Sequence, residues 1–238
     1  LGVLRHVLRL QMPVRVIVGV SAGAIIAAYY AAVGLTINDM VDEAPTFRGR
    51  HIVMHGLTIR AHQRLKPLMR RFCGVIPKRL AQLEDSSFSV LHHGVEQLGV
   101  VCHDLIRNQP CYFSTTNARG VRLADVVRAS AAVPGVMPSR TMMIDGEEFR
   151  LADGGLSDPL PVEFARSPGL DATHLIVSDC RYNAAAPPPA SDSLVYIRPD
   201  LGGIRPLRAP RFALMKAVWQ GEAAVTNDIV EQLRRWNG

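Results

Sequence analysis

The sequence predicts one α/β domain of three layers, in which helices cover both faces of a mainly parallel central sheet. A short run rich in Val and Ile, residues 14–18, is typical of a buried parallel strand, and an apolar, Ala-rich helical segment follows at 24–33. Similar short apolar runs alternate with helical patterns farther along the chain. A chain of 238 residues can bury a substantial core, and we expect residues 1–238 to form a single domain.

The first element is a helix, because residues 1–10 carry apolar side chains at helical spacing. An α/β sheet that opens with a helix lacks its first strand, and we expect that strand to be missing here. Helices are predicted at 1–10, 24–33, 88–97, 123–132, 162–166 and 212–236, and a further helix starts at 36–39. Strands are predicted at 14–18, 100–103, 111–116, 147–152 and 173–178, and the proline-rich segment 184–190 is predicted to be a loop.

The turn after the first predicted strand carries the main chemical signal. Gly19-Val20-Ser21-Ala22-Gly23 fits G-x-S-x-G, the nucleophile elbow, in which a sharp turn exposes the serine hydroxyl above the sheet. In that geometry Ser21 is the nucleophile, and the backbone N–H of Ala22, at the positive end of the helix, points at the developing oxyanion. Gly19 and Gly23 are expected because a side chain two residues before or after the serine would clash.

Two other interpretations of this segment are weaker. Residues 16–35 are uncharged and long enough to suggest a membrane-spanning helix, but Val and Ile are concentrated before the glycines and the helical pattern starts after them. A dinucleotide-binding turn would carry G-x-G-x-x-G, which the sequence lacks. A buried strand, a turn and a helix account best for the run.

A second chemical signal is Asp153, which Gly154 and Gly155 follow. The two glycines permit a tight turn that aims the carboxylate at a neighbouring loop. A serine nucleophile needs a general base within hydrogen-bond reach, and the order Ser21, Asp153, His174 formally permits a triad. We reject His174 because it precedes its strand, whereas sites in α/β sheets lie at the carboxyl ends of strands. Asp153 is therefore expected to act on Ser21 directly.

Three segments together resemble the patatin-like phospholipases, in particular the bacterial acyl hydrolases with a Ser-Asp dyad. They are the elbow at 18–24, residues 128–135 (RASAAVPG) and residues 151–156 (LADGGL). The resemblance implies a patatin-like three-layer α/β/α fold, with Ser21 as nucleophile and Asp153 as catalytic base. It also implies a lipid acyl hydrolase (a phospholipase, a lysophospholipase or a general esterase) that cleaves carboxylic esters through an acyl-enzyme, without a cofactor.

The sequence departs from the family pattern in two places. The Gly-rich oxyanion loop of the family, roughly G-G-G-x-[KR]-G, lies just before a helix similar to residues 1–4. We therefore expect the first strand and this loop, with the remaining oxyanion donors, to lie upstream of Leu1. Without them the chain is expected to be nearly inactive, since one oxyanion donor contributes about 100- to 1,000-fold to turnover. Asp158 stands where the family usually has Asn, which places a second carboxylate near Asp153.

Basic charge is concentrated in residues 44–83, which hold nine Lys or Arg, three His and no acidic residue. The whole chain has a net charge of +6 and a pI near 9.5. We interpret 44–83 as a basic helical insert, here called the basic flap. It is either a solvated face over ordinary core residues or a surface for anionic lipid headgroups. Nucleic acid is not expected as a partner, because no recognition motif accompanies the charge.

Functions from two classes remain open at this stage. The first is hydrolysis by the Ser21–Asp153 dyad, of lipid esters or, if the basic flap is merely solvated, of small soluble esters. The alternative is a non-catalytic module that binds a lipid or membrane surface through residues 44–83. We expect a bacterial protein located in the cytoplasm or at the periphery of a membrane. The four cysteines have no C-x-x-C or metal-ligand spacing, so we expect reduced thiols and no metal site.

Overall fold

The computed structural model describes residues 1–118, 120–181, 186–202, 204, 206–210 and 212–236. The helices are α1 (Gly2–Arg9), α2 (Ala22–Ala31), α3 (Ile37–Glu43), α4 (Gly49–Arg60), α5 (Lys66–Arg70), α6 (Ile76–Glu84), α7 (Leu123–Ser130), α8 (Val162–Arg166), α9 (Ala213–Ala223) and α10 (Asn227–Trp236). The strands are β1 (Val16–Val20), β2 (Gln97–Asp104), β3 (Gln109–Ser114), β4 (Arg140–Ile144), β5 (Glu147–Asp153), β6 (Leu175–Ser178) and β7 (Leu194–Ile197).

Strand β2 is the centre of a five-stranded sheet. One of its edges pairs with β3 in antiparallel fashion from Gly99 to Asp104. Its other edge is shared, because β1 pairs in parallel with the first half of β2 and β5 pairs antiparallel with the second half. Strand β4 continues the sheet beyond β5, and β6 and β7 form a separate parallel pair.

The predicted α/β class is confirmed, but the expectation of a mainly parallel sheet is wrong for the five-stranded sheet. Only β1–β2 is parallel among its described pairings, whereas β2–β3, β2–β5 and β4–β5 are antiparallel. For β4–β5 the cause is local, since the two strands are joined by Asp145 and Gly146, which have φ of 52° and 82°. Two consecutive residues with positive φ form the tight turn of an antiparallel hairpin.

Most predicted elements are present within a few residues, and two helices are corrected. Residues 88–97 contain no helix, because His93 and Gly94 adopt positive φ values of 57° and 74°, which a right-handed helix does not allow. The helix predicted at 212–236 is divided into α9 and α10 at residues 224–226. Strands β4 and β7 have no counterpart in the sequence prediction. Of the predicted loop 184–190, residues 186–190 lack helix and strand, and the first two residues lie outside the described residues.

The main core lies between the five-stranded sheet and helices α2, α3 and α7. Helix α2 is apolar along its whole length, and its buried alanines allow it to pack closely on the sheet. The basic flap folds into α4, α5 and α6. In the described part of the chain, no helix combines the length and the apolar character needed to cross a membrane. The uncharged run 16–35 is instead divided between β1, the elbow and α2.

Candidate active site

The candidate site lies where β1 and β5 end against each other along β2. Val20, the last residue of β1, is paired with Val101, and Asp153, the last residue of β5, is paired with Cys102. Because β1 runs parallel and β5 antiparallel to β2, their carboxyl ends meet at adjacent positions on the same edge. Ser21, the next residue after β1, is therefore brought next to Asp153.

Ser21 occupies a strained turn between β1 and α2. Its backbone has φ 54° and ψ −121°, a conformation that side-chain-bearing residues rarely adopt and that costs roughly 1–3 kcal/mol. A Cβ on Gly19 would lie 2.5 Å from the backbone N and Cα of Ala24, so the turn requires glycine there. A Cβ on Gly23 would meet nothing within 4 Å, so the predicted clash at Gly23 is wrong. Gly23 lies in the exposed first turn of α2, where the described residues leave open space around it.

The two predicted chemical side chains are in direct contact. Ser21 Oγ donates a hydrogen bond of 2.6 Å to Asp153 Oδ2. The other carboxylate oxygen, Oδ1, accepts from the Gly155 N–H at 2.9 Å, and the Asp153 N–H donates to the Ala132 carbonyl at 3.2 Å. Gly154 has no room for a side chain, because a Cβ would collide with the Val101 carbonyl. The Asp-Gly-Gly turn thus fixes the carboxylate opposite the serine.

Burial raises the pKa of Asp153 above its usual value, although the hydrogen bonds from Ser21 and Gly155 act in the opposite direction. The side chain is among the buried polar groups of the protein, with 7% of the residue exposed. Loss of hydration disfavours the ionised carboxylate, which makes it a stronger base than an exposed aspartate.

Ala22 is the first residue of α2 and is exposed at the helix N-terminus. The N–H groups of the first turn of a helix have no intrahelical acceptor, so the Ala22 N–H is available to an external oxygen beside Ser21. The positive end of the helix dipole favours negative charge at the same place. The structure therefore places the predicted oxyanion donor next to the predicted nucleophile.

Sequence reasoning missed the part played by Ser130, at the end of α7. Its Oγ accepts a hydrogen bond of 3.0 Å from the Ser21 N–H and donates one of 2.6 Å to the Val101 carbonyl. Ser130 is completely buried. It connects the strained turn to the adjoining residue of β2. A single serine among the buried apolar positions of α7 was the available signal, since buried hydroxyl groups need partners.

The other two side chains that the sequence offered as catalytic groups are Asp158 and His174. Asp158 accepts a hydrogen bond of 2.9 Å from the Tyr112 hydroxyl, and burial followed by this bond raises the pKa of Tyr112 to about 12. His174 is exposed just before β6, and its ring lies 4.9 Å from that of Trp236. Neither residue contacts Ser21 in the described hydrogen bonds, whereas Asp153 does. The described residues contain no group of three His, Cys, Asp or Glu side chains arranged to hold a metal ion.

A serine on a strand-turn-helix elbow, hydrogen-bonded to a carboxylate, is an arrangement typical of hydrolases. The family model for patatin-like phospholipase matches residues 1–166 of the 238. The chain therefore belongs to the patatin-like phospholipase family, whose members are lipid acyl hydrolases, and the resemblance seen in the sequence is confirmed.

A solved structure shows the same fold. The chain is similar to VipD from Legionella pneumophila, with a TM-score of 0.54 and 14% sequence identity over 99% of this chain. The similarity covers 64% of the VipD chain, so this chain spans less than two thirds of that protein. At this level of identity the similarity shows the patatin-like fold and nothing finer.

Proposed function

We propose that this protein hydrolyses carboxylic esters of lipids through a catalytic dyad of Ser21 and Asp153. The observation that carries the proposal is the hydrogen bond of 2.6 Å between Ser21 Oγ and Asp153 Oδ2. Membership of the patatin-like phospholipase family supports lipid acyl hydrolysis, and the geometry supports the division of roles between the two side chains.

In the first half of the reaction, Ser21 Oγ attacks the ester carbonyl carbon while Asp153 Oδ2 accepts its proton. The carbonyl oxygen becomes an oxyanion, to which the Ala22 N–H donates. Collapse of the tetrahedral intermediate breaks the ester bond, and the leaving alcohol takes the proton from Asp153. In the second half, Asp153 Oδ2 accepts a proton from a water molecule as the water oxygen attacks the acyl carbon. Collapse of this second intermediate breaks the bond to Ser21 Oγ, returns the proton from Asp153 to Oγ and releases the carboxylic acid.

The proposal includes a second oxyanion donor, contributed by a Gly-rich loop that precedes Leu1, as the family resemblance implies. The structure supports it in one respect: within the described residues, β1 pairs with β2 alone, and its other edge is free for a neighbouring strand. The loop would join that strand to α1.

Labelling with a fluorophosphonate probe tests the dyad, because such probes react with activated serines. We expect labelling at Ser21 in a chain that also carries the residues preceding Leu1, and much weaker labelling in residues 1–238. Ser21→Ala should abolish labelling and hydrolysis of a p-nitrophenyl acyl ester, whereas the exposed neighbour Ser157→Ala should leave both unchanged. If neither chain is labelled, the dyad proposal fails and the non-catalytic lipid-binding module is favoured.

A further inference from the structure

Exposed apolar side chains are concentrated in the basic flap. Leu57, Leu65, Leu68 and Phe72 are 47%, 53%, 57% and 58% exposed, and Val53 and Ile59 are each 38% exposed. Single exposed apolar residues are ordinary on protein surfaces. Six within twenty residues of sequence are a local concentration of exposed apolar side chains, a feature that favours a binding surface.

The same segment is rich in uncompensated positive charge. Of its nine Lys and Arg residues, only Arg79 makes an ion pair in the described part of the chain, with Glu43. Arg48 and Arg50, at the start of α4, also line a cavity of about 390 Å³ together with Arg208. None of these three arginines has a carboxylate partner among the described ion pairs, which leaves their guanidinium groups free for anionic oxygen atoms.

The basic flap also contacts the segment that supports the dyad. Gly56 of α4 packs so closely against the carbonyl of Val136 that a Cβ would collide with it. Arg60 Nη1 donates to the Gly135 carbonyl at 3.4 Å. A few residues earlier in the same segment, the Ala132 carbonyl accepts the N–H of Asp153. The flap is therefore connected to Asp153, the proposed catalytic base, through the backbone of residues 132–135.

From these observations we propose that the basic flap docks this protein on an anionic phospholipid surface and places the dyad beside it. The partner is a bilayer, since exposed apolar side chains interleaved with unpaired cations match the acyl boundary and the phosphate layer together. The proposal rests on the proposed function for its catalytic consequence, but the docking itself does not require Ser21. The leucines and Phe72 enter the interface, and the arginines contact the phosphates.

Co-sedimentation with vesicles tests the docking. One set of vesicles contains phosphatidylcholine alone, and the other contains about one third phosphatidylglycerol. We expect the chain to sediment with the anionic vesicles only.

The paired substitutions Leu68→Asp and Phe72→Asp should reduce partitioning more than tenfold. The pair Arg70→Ser and Arg71→Ser should reduce it about fivefold per residue, as expected for basic residues near an anionic surface. The matched control is Ile106→Asp, which changes a residue 52% exposed in the β2–β3 turn and should leave partitioning unchanged.

Docking and catalysis are measured separately, on the same proteins. Folding of each variant is checked by circular dichroism, and the dyad is checked by fluorophosphonate labelling of the longer chain. Ser21→Ala should bind anionic vesicles as the parent does, so a failed dyad leaves the docking result intact. The docking proposal is overturned if the parent stays in the supernatant with anionic vesicles. It is also overturned if the Leu68→Asp, Phe72→Asp protein sediments as well as the parent does.

Discussion

Replacing Ser130 by Ala tests whether this buried hydroxyl holds the strained turn in place. The substitution removes the acceptor of the Ser21 N–H and the donor to the Val101 carbonyl. A buried group that loses its partner costs about 1–3 kcal/mol, and two groups lose a partner here. Because the Ser21 N–H is only part-buried, it contributes less than the Val101 carbonyl, and we expect the free energy of unfolding to fall by about 2–4 kcal/mol. Denaturant titration of Ser130→Ala measures this loss.

The same substitution should lower turnover, because Ser21 is then free to relax. Its φ of 54° and ψ of −121° are unfavourable by roughly 1–3 kcal/mol, and relaxation would move Oγ away from Asp153. We expect kcat of the unlabelled chain that also carries the residues preceding Leu1 to fall about 10- to 100-fold with KM nearly unchanged, since a tenfold change corresponds to about 1.4 kcal/mol. Ser89→Ala, which alters an exposed serine, is the control. Unchanged kcat and unfolding free energy in Ser130→Ala would refute the reasoning.

Three further predictions concern the dyad and its turn. Burial raises the pKa of Asp153, so the folded state binds this proton more tightly than the unfolded chain does. The free energy of unfolding should therefore fall as the pH rises from the unfolded pKa of about 3.9 through the raised pKa of the folded state. Asp153→Asn should therefore raise the melting temperature at pH 7 while lowering kcat roughly 100- to 10,000-fold; a lower melting temperature would contradict this. The pH profile of ester hydrolysis should rise as Asp153 ionises and show no second inflection near pH 6.5, because no histidine takes part in the proposed proton transfer. A second, histidine-like inflection in that profile would contradict the dyad. Gly19→Ala should prevent soluble expression of folded protein, because its Cβ would clash with Ala24. Gly23→Ala should fold normally and gain up to about 1 kcal/mol of stability from helix propensity. Equal behaviour of the two variants would show that the turn is not as tight as described.

Much of the site could be predicted because its signals are local. The elbow combines a β-branched strand, two glycines and an Ala-rich helix within twenty residues, and each part has its own physical reason to form. Asp153 was predicted from its two following glycines and from the chemical need of Ser21 for a base. The structure brings these two residues together as expected.

The parts that were missed depend on contacts distant in sequence or on weak local signals. Strand β4 has the sequence Arg-Thr-Met-Met-Ile, in which only Thr141 and Ile144 favour a strand, although Asp145-Gly146 after it is a strong hairpin signal. The antiparallel direction of β5 beside β2 cannot be predicted from periodicity, because side chains alternate between the two faces of the sheet in parallel and antiparallel strands alike. Ser130 acts through the Ser21 N–H and Val101, which lie 109 and 29 residues away.

The end-to-end arrangement of β1 and β5 on one edge of β2 makes the dyad independent of the length of chain between its members. Ser21 and Asp153 are 132 residues apart in sequence, yet their separation in space is set by two adjacent pairing positions, Val101 and Cys102. The basic flap contains none of the paired residues of β1, β2 or β5, so changes of length within it do not alter that register directly. Exchanges between Glu43 and Glu84 that keep the contacts of Gly56 and Arg60 with residues 135–136 should therefore preserve the distance between Ser21 Oγ and Asp153 Oδ2.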